Sequence, residues 1–260
     1  MRAVLGIDAA WTERQPSGVA LVTDAGNGWC LVKVSASYRA FTGEPRNGEY
    51  GRHIGSKPDP TAILAAAGVP IDVIAIDMPL SMAPIVGRRT SDDLISSLYA
   101  SRHAGTHTPS SVRPGKLSDE LRVRFDGLGF PLQTESFSTP ALIEVYPHPA
   151  LIELAAAAKR LPYKHGKTGK YWPEDTPAGR RRRLFAVWEQ IVVLLDARIE
   201  GVGAALPMPA FDCRGYEMKA FEDMLDAVVC AWVGTCMLDG NAKPYGDAAS
   251  AIWVPQLTAD

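Results

Sequence analysis

The first 35 residues constrain the fold more than any other part of the chain. They contain three short apolar segments, at residues 4–8, 18–23 and 29–35, and only brief turn-forming stretches separate them. The second of these turns contains Asn27-Gly28, a dipeptide typical of hairpins. Because a tight turn can connect only antiparallel strands, the segments predict a three-stranded antiparallel meander.

The segments that follow predict how the sheet continues. Asp59 can cap a short helix that Gly68 ends. The apolar segment 71–77 comes after this helix, so it predicts a strand that crosses over and lies parallel to the first. Residues 141–146 predict a fifth strand. We therefore expect one α/β domain over residues 1–260, with a mixed five-stranded sheet and helices on both faces.

Two insertions and two long helices complete this predicted domain. The insertions, at about 81–140 and 159–183, are rich in loop-forming residues, and the first contains one predicted helix at 91–102. Apolar residues at helical spacing predict helices over 184–199 and 216–238. The last helix has a bulky face and a small face, both apolar, so we expect it to lie between the sheet and another element. The insertions are expected to form a cap.

Composition excludes several classes of protein. The chain is 47% hydrophobic and 22% charged, which excludes disorder throughout. It has 27 Lys and Arg against 29 Asp and Glu, so a uniformly basic surface for nucleic acid is excluded. No apolar run approaches the roughly 20 residues that cross a bilayer. The four cysteines form no CxxC pair. We expect a cytoplasmic protein with free thiols and no membrane contact.

Basic residues are nevertheless concentrated locally. Residues 159–183 hold nine Lys or Arg against two acids. Lysines interleave there with Tyr163, Tyr171 and Trp172, a combination that can bind single strands by charge and stacking. Arginines of the first insertion can hold phosphate, because guanidinium groups match phosphate oxygens, or can instead stabilise acids. A solvated surface is the alternative for the basic run. The candidate substrate-binding residues are Arg88, Arg89, Arg102, Lys167 and Lys170.

The acids carry the strongest functional signal. Asp8 and Asp77 end apolar strands, and Glu144 interrupts a third. Asp223 and Asp226 lie in an otherwise apolar helix. A buried carboxylate is costly unless it is paired or binds a cation. If the three strands are neighbours, the carboxylates converge at one edge of the sheet, and Mg²⁺ or Mn²⁺ can supply the missing positive charge.

Each of these acids also has a structural alternative. Asp8 can close the first hairpin, and Asp77 can simply end its strand. Glu144 can pair with an arginine such as Arg88. The two helical aspartates can be solvated at a helix edge, although their apolar neighbours argue against this.

The residues that carry these acids resemble the family named domain of unknown function 429. The resemblance covers nearly the whole chain and implies a ribonuclease H-like sheet in the order 3-2-1-4-5. Members of that family are regarded as predicted nucleases. The matching segments are Gly6-Ile7-Asp8-Ala9-Ala10-Trp11, Ile76-Asp77-Met78-Pro79-Leu80-Ser81, Glu144-Val145-Tyr146-Pro147, Arg88-Arg89 with Asp92, Asp226-Ala227, Cys230-Ala231, Tyr245-Gly246-Asp247 and Ile252-Trp253-Val254-Pro255.

A more distant similarity suggests roles for the acids. The first hairpin, and the helical segment from Asp223 to Ala227, are similar to segments of Holliday-junction-resolvase-like nucleases. This similarity implies that Asp8, Asp77 and Asp226 are metal ligands, with Asp223 beside them. That branch usually has Glu where this chain has Asp77, so the metal spacing can differ. Glu144 has no clear counterpart there.

The sequence therefore predicts a metal-dependent nuclease or phosphodiesterase. Two Mg²⁺ or Mn²⁺ ions would be held by Asp8, Asp77 and Asp226, assisted by Glu144 or Asp223, and would act by two-metal hydrolysis of nucleic acid. One alternative is an actin-like-fold ATPase or small-molecule kinase, which needs a second phosphate loop that we do not find. The other is a catalytically silent binding protein of the same fold.

Overall fold

A seven-stranded mixed sheet forms the centre of the molecule. The computed structural model of the chain describes residues 1–44, 52–136 and 138–256. Within these ranges the strands are β1 (Arg2–Asp8), β2 (Gly18–Asp24), β3 (Trp29–Ser35), β4 (Val73–Ile76), β5 (Ala141–Val145), β6 (Ala242–Gly246) and β7 (Ala251–Pro255).

Helices cover both faces of this sheet. In the described ranges they are α1 (Tyr38–Phe41), α2 (Pro60–Ala67), α3 (Thr90–Tyr99), α4 (Lys116–Gly127), α5 (Pro147–Leu154), α6 (Thr168–Tyr171), α7 (Pro177–Asp196), α8 (Val202–Ala205) and α9 (Gly215–Leu238), with a 3₁₀ turn at His165–Lys167. One apolar core lies between the sheet and α5, α7 and α9, and a second lies on the opposite face with α1, α2 and α4. None of the described helices combines the length and apolar character that a bilayer span requires.

The sheet order is β3-β2-β1-β4-β5-β7-β6, so the predicted order of the first five strands is confirmed. β1, β2 and β3 form the expected antiparallel meander, and β4 and β5 run parallel to β1. Ile7 of β1 is in register with Ile76 of β4, which is in register with Glu144 of β5. Asp8 and Asp77 each come one residue later, so the three acids lie at one edge of the sheet.

The prediction of five strands missed two. β7 pairs parallel with β5, and β6 pairs antiparallel with β7 at the sheet edge. β6 contains Pro244, which lacks a backbone N–H and is tolerated in an edge strand. This proline and the short length of both strands hide them from a pattern search.

α9 packs unusually close to the sheet, as its small residues predict. A Cβ at Gly6 would overlap the backbone of Ala227, and a Cβ at Gly18 would overlap the backbone of Asp223. Nearly every residue of α9 after Glu222 is buried, which confirms that it lies between the sheet and other helices. The close approach brings the acids of α9 to the first two strands.

Both insertions reach the edge where the acids lie. The first contains α3 as predicted, but it also contains α4, which the prediction missed. α4 buries Ser118, Leu121 and Phe125 at helical spacing, and the charged residues between them obscure this pattern. A loop of the first insertion and residues 163–165 of the second contact the acidic region directly.

Candidate active site

Asp8 and Asp77 meet at the ends of two parallel strands. The Asp77 backbone N–H donates to the Ile7 carbonyl at 2.9 Å, which fixes the two strand ends side by side. The residues before them, Ile7 and Ile76, are fully buried, whereas both aspartates are partly exposed. Both line one pocket of about 570 Å³, which we call the acid pocket. Its other lining residues include Trp11, Gln15, His107, Thr108, Ser110 and Arg113.

The two carboxylates of the acid pocket have no direct counter-charge in the described part of the chain. Neither makes an ion pair or a side-chain hydrogen bond with another described residue. Burial raises the pKa of Asp8, although Lys164 and Lys219 act in the opposite direction. Burial also raises the pKa of Asp77 well above its usual value, and the charges of Asp8 and Asp226 raise it further. The pair therefore carries unfavourable negative charge that a cation would stabilise.

Asp226 differs from this pair because a lysine ammonium group already balances its charge. Its carboxylate is completely buried, accepts a hydrogen bond from the Tyr163 hydroxyl at 2.7 Å and forms an ion pair with Lys164. Burial raises the pKa of Asp226 to about 6, against the effect of Lys164. Burial alone would lower the pKa of Lys164, but Asp226 and Glu222 raise it well above its usual value. The second insertion thus supplies the counter-ion of Asp226.

Two further acids of α9 are also paired. Glu222 accepts a hydrogen bond from the His165 N–H at 2.7 Å and lies 3.6 Å from the Lys164 ammonium. Burial opposes ionisation of Glu222, yet His165 and the two nearby lysines lower its pKa to about 2. Asp223 forms an ion pair with Lys219 and does not line the acid pocket. That Asp223 assists in metal binding therefore stays a prediction, since Lys219 holds its carboxylate here.

Glu144 is neutralised by an arginine. The Arg89 guanidinium contacts both carboxylate oxygens, at 2.5 and 2.8 Å, and the Leu80 N–H donates a further hydrogen bond at 2.7 Å. Arg89 also pairs with Asp92 at 3.0 Å. The structural alternative of an arginine partner is thus found, although the partner is Arg89 and not Arg88. Burial raises the pKa of Glu144, and Arg89 opposes this effect.

The predicted substrate-binding residues are dispersed. Arg88 forms a partly exposed ion pair with Asp93, and Arg102 pairs with Glu153. The buried Arg89 stabilises acids, which was the alternative left open for it. The two remaining candidates, Lys167 and Lys170, line a second pocket.

Sequence patterns missed several residues of the site. Arg113 lines the acid pocket, and its guanidinium lies 5.8 Å from the centre of the Trp11 ring. No spacing links Arg113 to the acids, because it lies in a loop about a hundred residues after Asp8. Glu222 could have been found, since it lies four residues before Asp226 and therefore on the same helical face.

Asp8 and Asp77 provide part of the ligand set that a divalent cation needs. No group of three or more His, Cys, Asp or Glu in the described part of the chain has the arrangement of a complete metal site. Asp8 and Asp77 nevertheless fit, because two adjacent carboxylates that open to solvent can be completed by water ligands, as Mg²⁺ prefers. That Asp226 is a third ligand stays a prediction, since Lys164 and Tyr163 hold its carboxylate here.

Comparison with known proteins places the chain in one family. No curated protein and no solved structure matches it. One family model matches residues 6–250, a range that includes every acid described above. Because this match covers nearly the whole chain, the protein belongs to the family described as "Protein of unknown function (DUF429)".

Proposed function

We propose that the protein is a metal-dependent phosphodiesterase that acts on nucleic acid. One observation carries the proposal: among the buried or half-buried acids at this edge of the sheet, Asp8 and Asp77 lack an ion-pair partner among the described residues. The acids beside them, Glu144, Glu222, Asp223 and Asp226, each have one. An uncompensated pair in an open pocket is typical of a functional site.

Mg²⁺ or Mn²⁺ suits this pair best. Both are hard cations that prefer carboxylate and water oxygens, and the acid pocket offers two carboxylates. When bound, such an ion polarises a phosphoryl oxygen and activates water for attack on phosphorus. The strand order and the mixed sheet support the further proposal of a ribonuclease H-like fold. The four free cysteines support a cytoplasmic location.

Residues of the chain have definite roles in this proposal. Asp8 and Asp77 hold the cation, and their rigid strand ends keep the two carboxylates adjacent. Arg113 binds a non-bridging phosphate oxygen, because its planar guanidinium group donates paired hydrogen bonds. Trp11, beneath the guanidinium, orients Arg113. Lys164, held by its ion pair with Asp226, acts to lower the pKa of both Asp8 and Asp77 and so favours the ionised carboxylates that a cation needs.

The proposal is tested by metal binding and by hydrolysis. Mn²⁺ binding is measured by calorimetry and by an anomalous peak in Mn²⁺-soaked crystals, and hydrolysis is measured with bis(p-nitrophenyl) phosphate. We expect one ion between Asp8 and Asp77 and metal-dependent release of nitrophenol. Asp8→Asn and Asp77→Asn should abolish both signals. Asp126→Asn is the matched control, because Asp126 is exposed and remote from the acid pocket.

Two results would contradict the proposal. One is wild-type protein that binds no Mn²⁺ at millimolar concentration. The other is hydrolysis that continues unchanged in both Asp8→Asn and Asp77→Asn.

A further inference from the structure

A second pocket, of about 580 Å³, lies beside the acidic region. We call it the basic pocket. It is built largely from the second insertion, between the end of α5 and the start of α7. Its chemistry comes from four cations and two aromatic rings: Lys159, Arg160, Lys167, Lys170, Tyr171 and Trp172.

The cations of the basic pocket lack ion-pair partners among the residues that the structure describes. Within the described ranges, Lys159, Lys167 and Lys170 form no ion pair, and the Arg160 guanidinium contacts the Tyr171 hydroxyl at 3.5 Å. The Nε of Arg160 is buried and has no acceptor in the described ranges. Burial, together with Arg160, Lys164 and Lys170, lowers the pKa of Lys167. The four like charges repel one another, and a ligand with several negative charges would relieve this repulsion.

Two aromatic rings complete the basic pocket. The rings of Tyr171 and Trp172 contact edge to face with centres 5.7 Å apart. Trp172 packs partly against the apolar core, which holds the pair in place. Both rings remain partly exposed, so a planar group can stack on them. Cations beside a fixed, accessible aromatic surface suit a ligand that carries both phosphates and bases.

The basic pocket is electrostatically continuous with the acid pocket. His107 lines the acid pocket, and burial lowers its pKa together with the charges of Lys167, Arg160 and Arg113. His107 therefore lies within the field of cations from both pockets. Lys164, three residues before Lys167, forms the ion pair with Asp226. The charges of Arg113 and of two cations of the basic pocket, Arg160 and Lys167, thus act on the same residue, His107.

We propose that the basic pocket binds a single-stranded segment of nucleic acid that flanks the phosphodiester held in the acid pocket. The link to catalysis rests on the proposed function, whereas binding itself requires no metal. A single strand fits better than a duplex, because unstacked bases can reach Tyr171 and Trp172 while a duplex keeps its bases stacked inside. The lysines and Arg160 then contact the backbone phosphates on either side of the stacked base.

Binding is measured by fluorescence anisotropy in EDTA, with a labelled oligothymidylate or oligouridylate of about 12 nucleotides, which is near the length that one single-strand-binding fold covers. The full-length protein is compared with Lys167→Ala/Lys170→Ala and with Tyr171→Leu. Lys116→Ala/Lys243→Ala is the matched control, because it removes the same charge outside both pockets. A duplex of equal length and an acidic peptide are the competing ligands.

The two variants should differ in their salt dependence. Removal of two phosphate contacts should weaken binding about tenfold and reduce the slope of log K against log salt by about 1.4, at about 0.7 per phosphate of a single strand. Tyr171→Leu should weaken binding by about fivefold or more and leave the slope unchanged, since stacking releases no counterions. The control variant should bind as the wild type does.

The test separates failure of this inference from failure of the proposed function. Equal affinity of wild type and Lys167→Ala/Lys170→Ala, or tighter binding of the duplex or the acidic peptide, would overturn the inference. If wild-type protein still hydrolyses bis(p-nitrophenyl) phosphate, the proposed function survives that result. If wild-type protein binds the oligonucleotide through these residues but binds no Mn²⁺ and hydrolyses no diester, the basic pocket stands and the phosphodiesterase proposal fails.

Discussion

The acids at the ends of β1 and β4 differ sharply from the acid at the end of β5. Asp8, Asp77 and Glu144 all follow buried apolar residues at one edge of the sheet. Glu144 is held by the Arg89 guanidinium and the Leu80 N–H, whereas the two aspartates have no such partner among the described residues. Similar positions in the fold therefore differ in electrostatic compensation: the charge of Glu144 is balanced by Arg89, whereas the uncompensated aspartate pair is, in our proposal, available to a cation.

The largest effect expected from this contrast is on stability. Arg89→Met leaves Glu144 buried and unpaired, and loss of one partner of a buried ion pair typically costs about 3–5 kcal/mol. The free energy of unfolding should fall by that amount in urea denaturation. Arg88→Met is the neighbouring control and should cost less, because the pair between Arg88 and Asp93 is partly exposed. Equal losses in the two variants would show that Glu144 does not depend on Arg89.

The aspartate pair should show the opposite pattern. Asp8→Asn or Asp77→Asn should lower metal-dependent kcat/KM by about 100-fold or more, as expected when a metal ligand is lost. The metal-free variants should be as stable as the wild type or more stable, because each substitution removes repulsion within the pair. Kinetics and urea denaturation of the same preparations check both points. A loss of stability like that of Arg89→Met would mean that the aspartates are structural.

The dependence of stability on pH sharpens the contrast. A carboxyl whose pKa is raised in the folded state binds its proton more tightly there than in the unfolded chain. As pH rises above the usual value of 3.8, the metal-free protein should therefore lose stability until Asp77 is ionised, by about 1.4 kcal/mol per unit of raised pKa. Mg²⁺ should flatten this slope, and so should Asp77→Asn. An unchanged slope in Asp77→Asn would mean that ionisation of Asp77 does not cause this loss of stability.

The pKa of Glu222 is shifted in the opposite direction to that of Asp77, so Glu222 should change the stability in the opposite sense as pH rises. Its pKa is lowered from 4.5 to about 2, so its stabilising contribution is present above pH 4.5 and is lost as pH falls towards 2. Glu222→Gln should remove this acid-side loss and reduce the slope above pH 4.5 only slightly, because Glu222 raises the pKa of Asp8 and Asp226 less than burial does. Urea denaturation at a series of pH values measures the free energy of unfolding both below and above pH 4.5. If Glu222→Gln also abolished the fall in stability above pH 4.5, Asp77 and Glu222 could not be treated as separate groups.

The smallest effect concerns the proposed phosphate contact at the acid pocket. Arg113→Lys keeps the charge but loses the planar guanidinium, so KM for the diester should rise by about tenfold with a smaller change in kcat. Arg198→Lys is an exposed control and should have no effect. An unchanged KM in Arg113→Lys would remove Arg113 from the proposed mechanism.

Much of the fold follows from local patterns in the sequence. The turns of the meander, the Asp59 cap and Gly68 end of α2, and the small face of α9 each predicted what the structure shows. α4 and β6 escaped, because charged residues and a proline break their patterns, and β7 escaped because it is only five residues long. Asp8, Asp77 and Glu144 were found at one edge of the sheet as predicted, since carboxylates within or directly after apolar strands are visible without a structure.

The sequence by itself determined which acids are placed in apolar surroundings, because strand and helix periodicity depend on neighbouring residues. The tertiary structure decided which of those acids are compensated. Arg89 and not Arg88 reaches Glu144, and Lys164 reaches Asp226 across 62 positions of the chain. Ion pairing depends on distances of a few ångströms between side chains that are remote in sequence. Folding alone sets those distances, and with them it leaves Asp8 and Asp77 without a direct ion-pair partner among the residues that the structure describes.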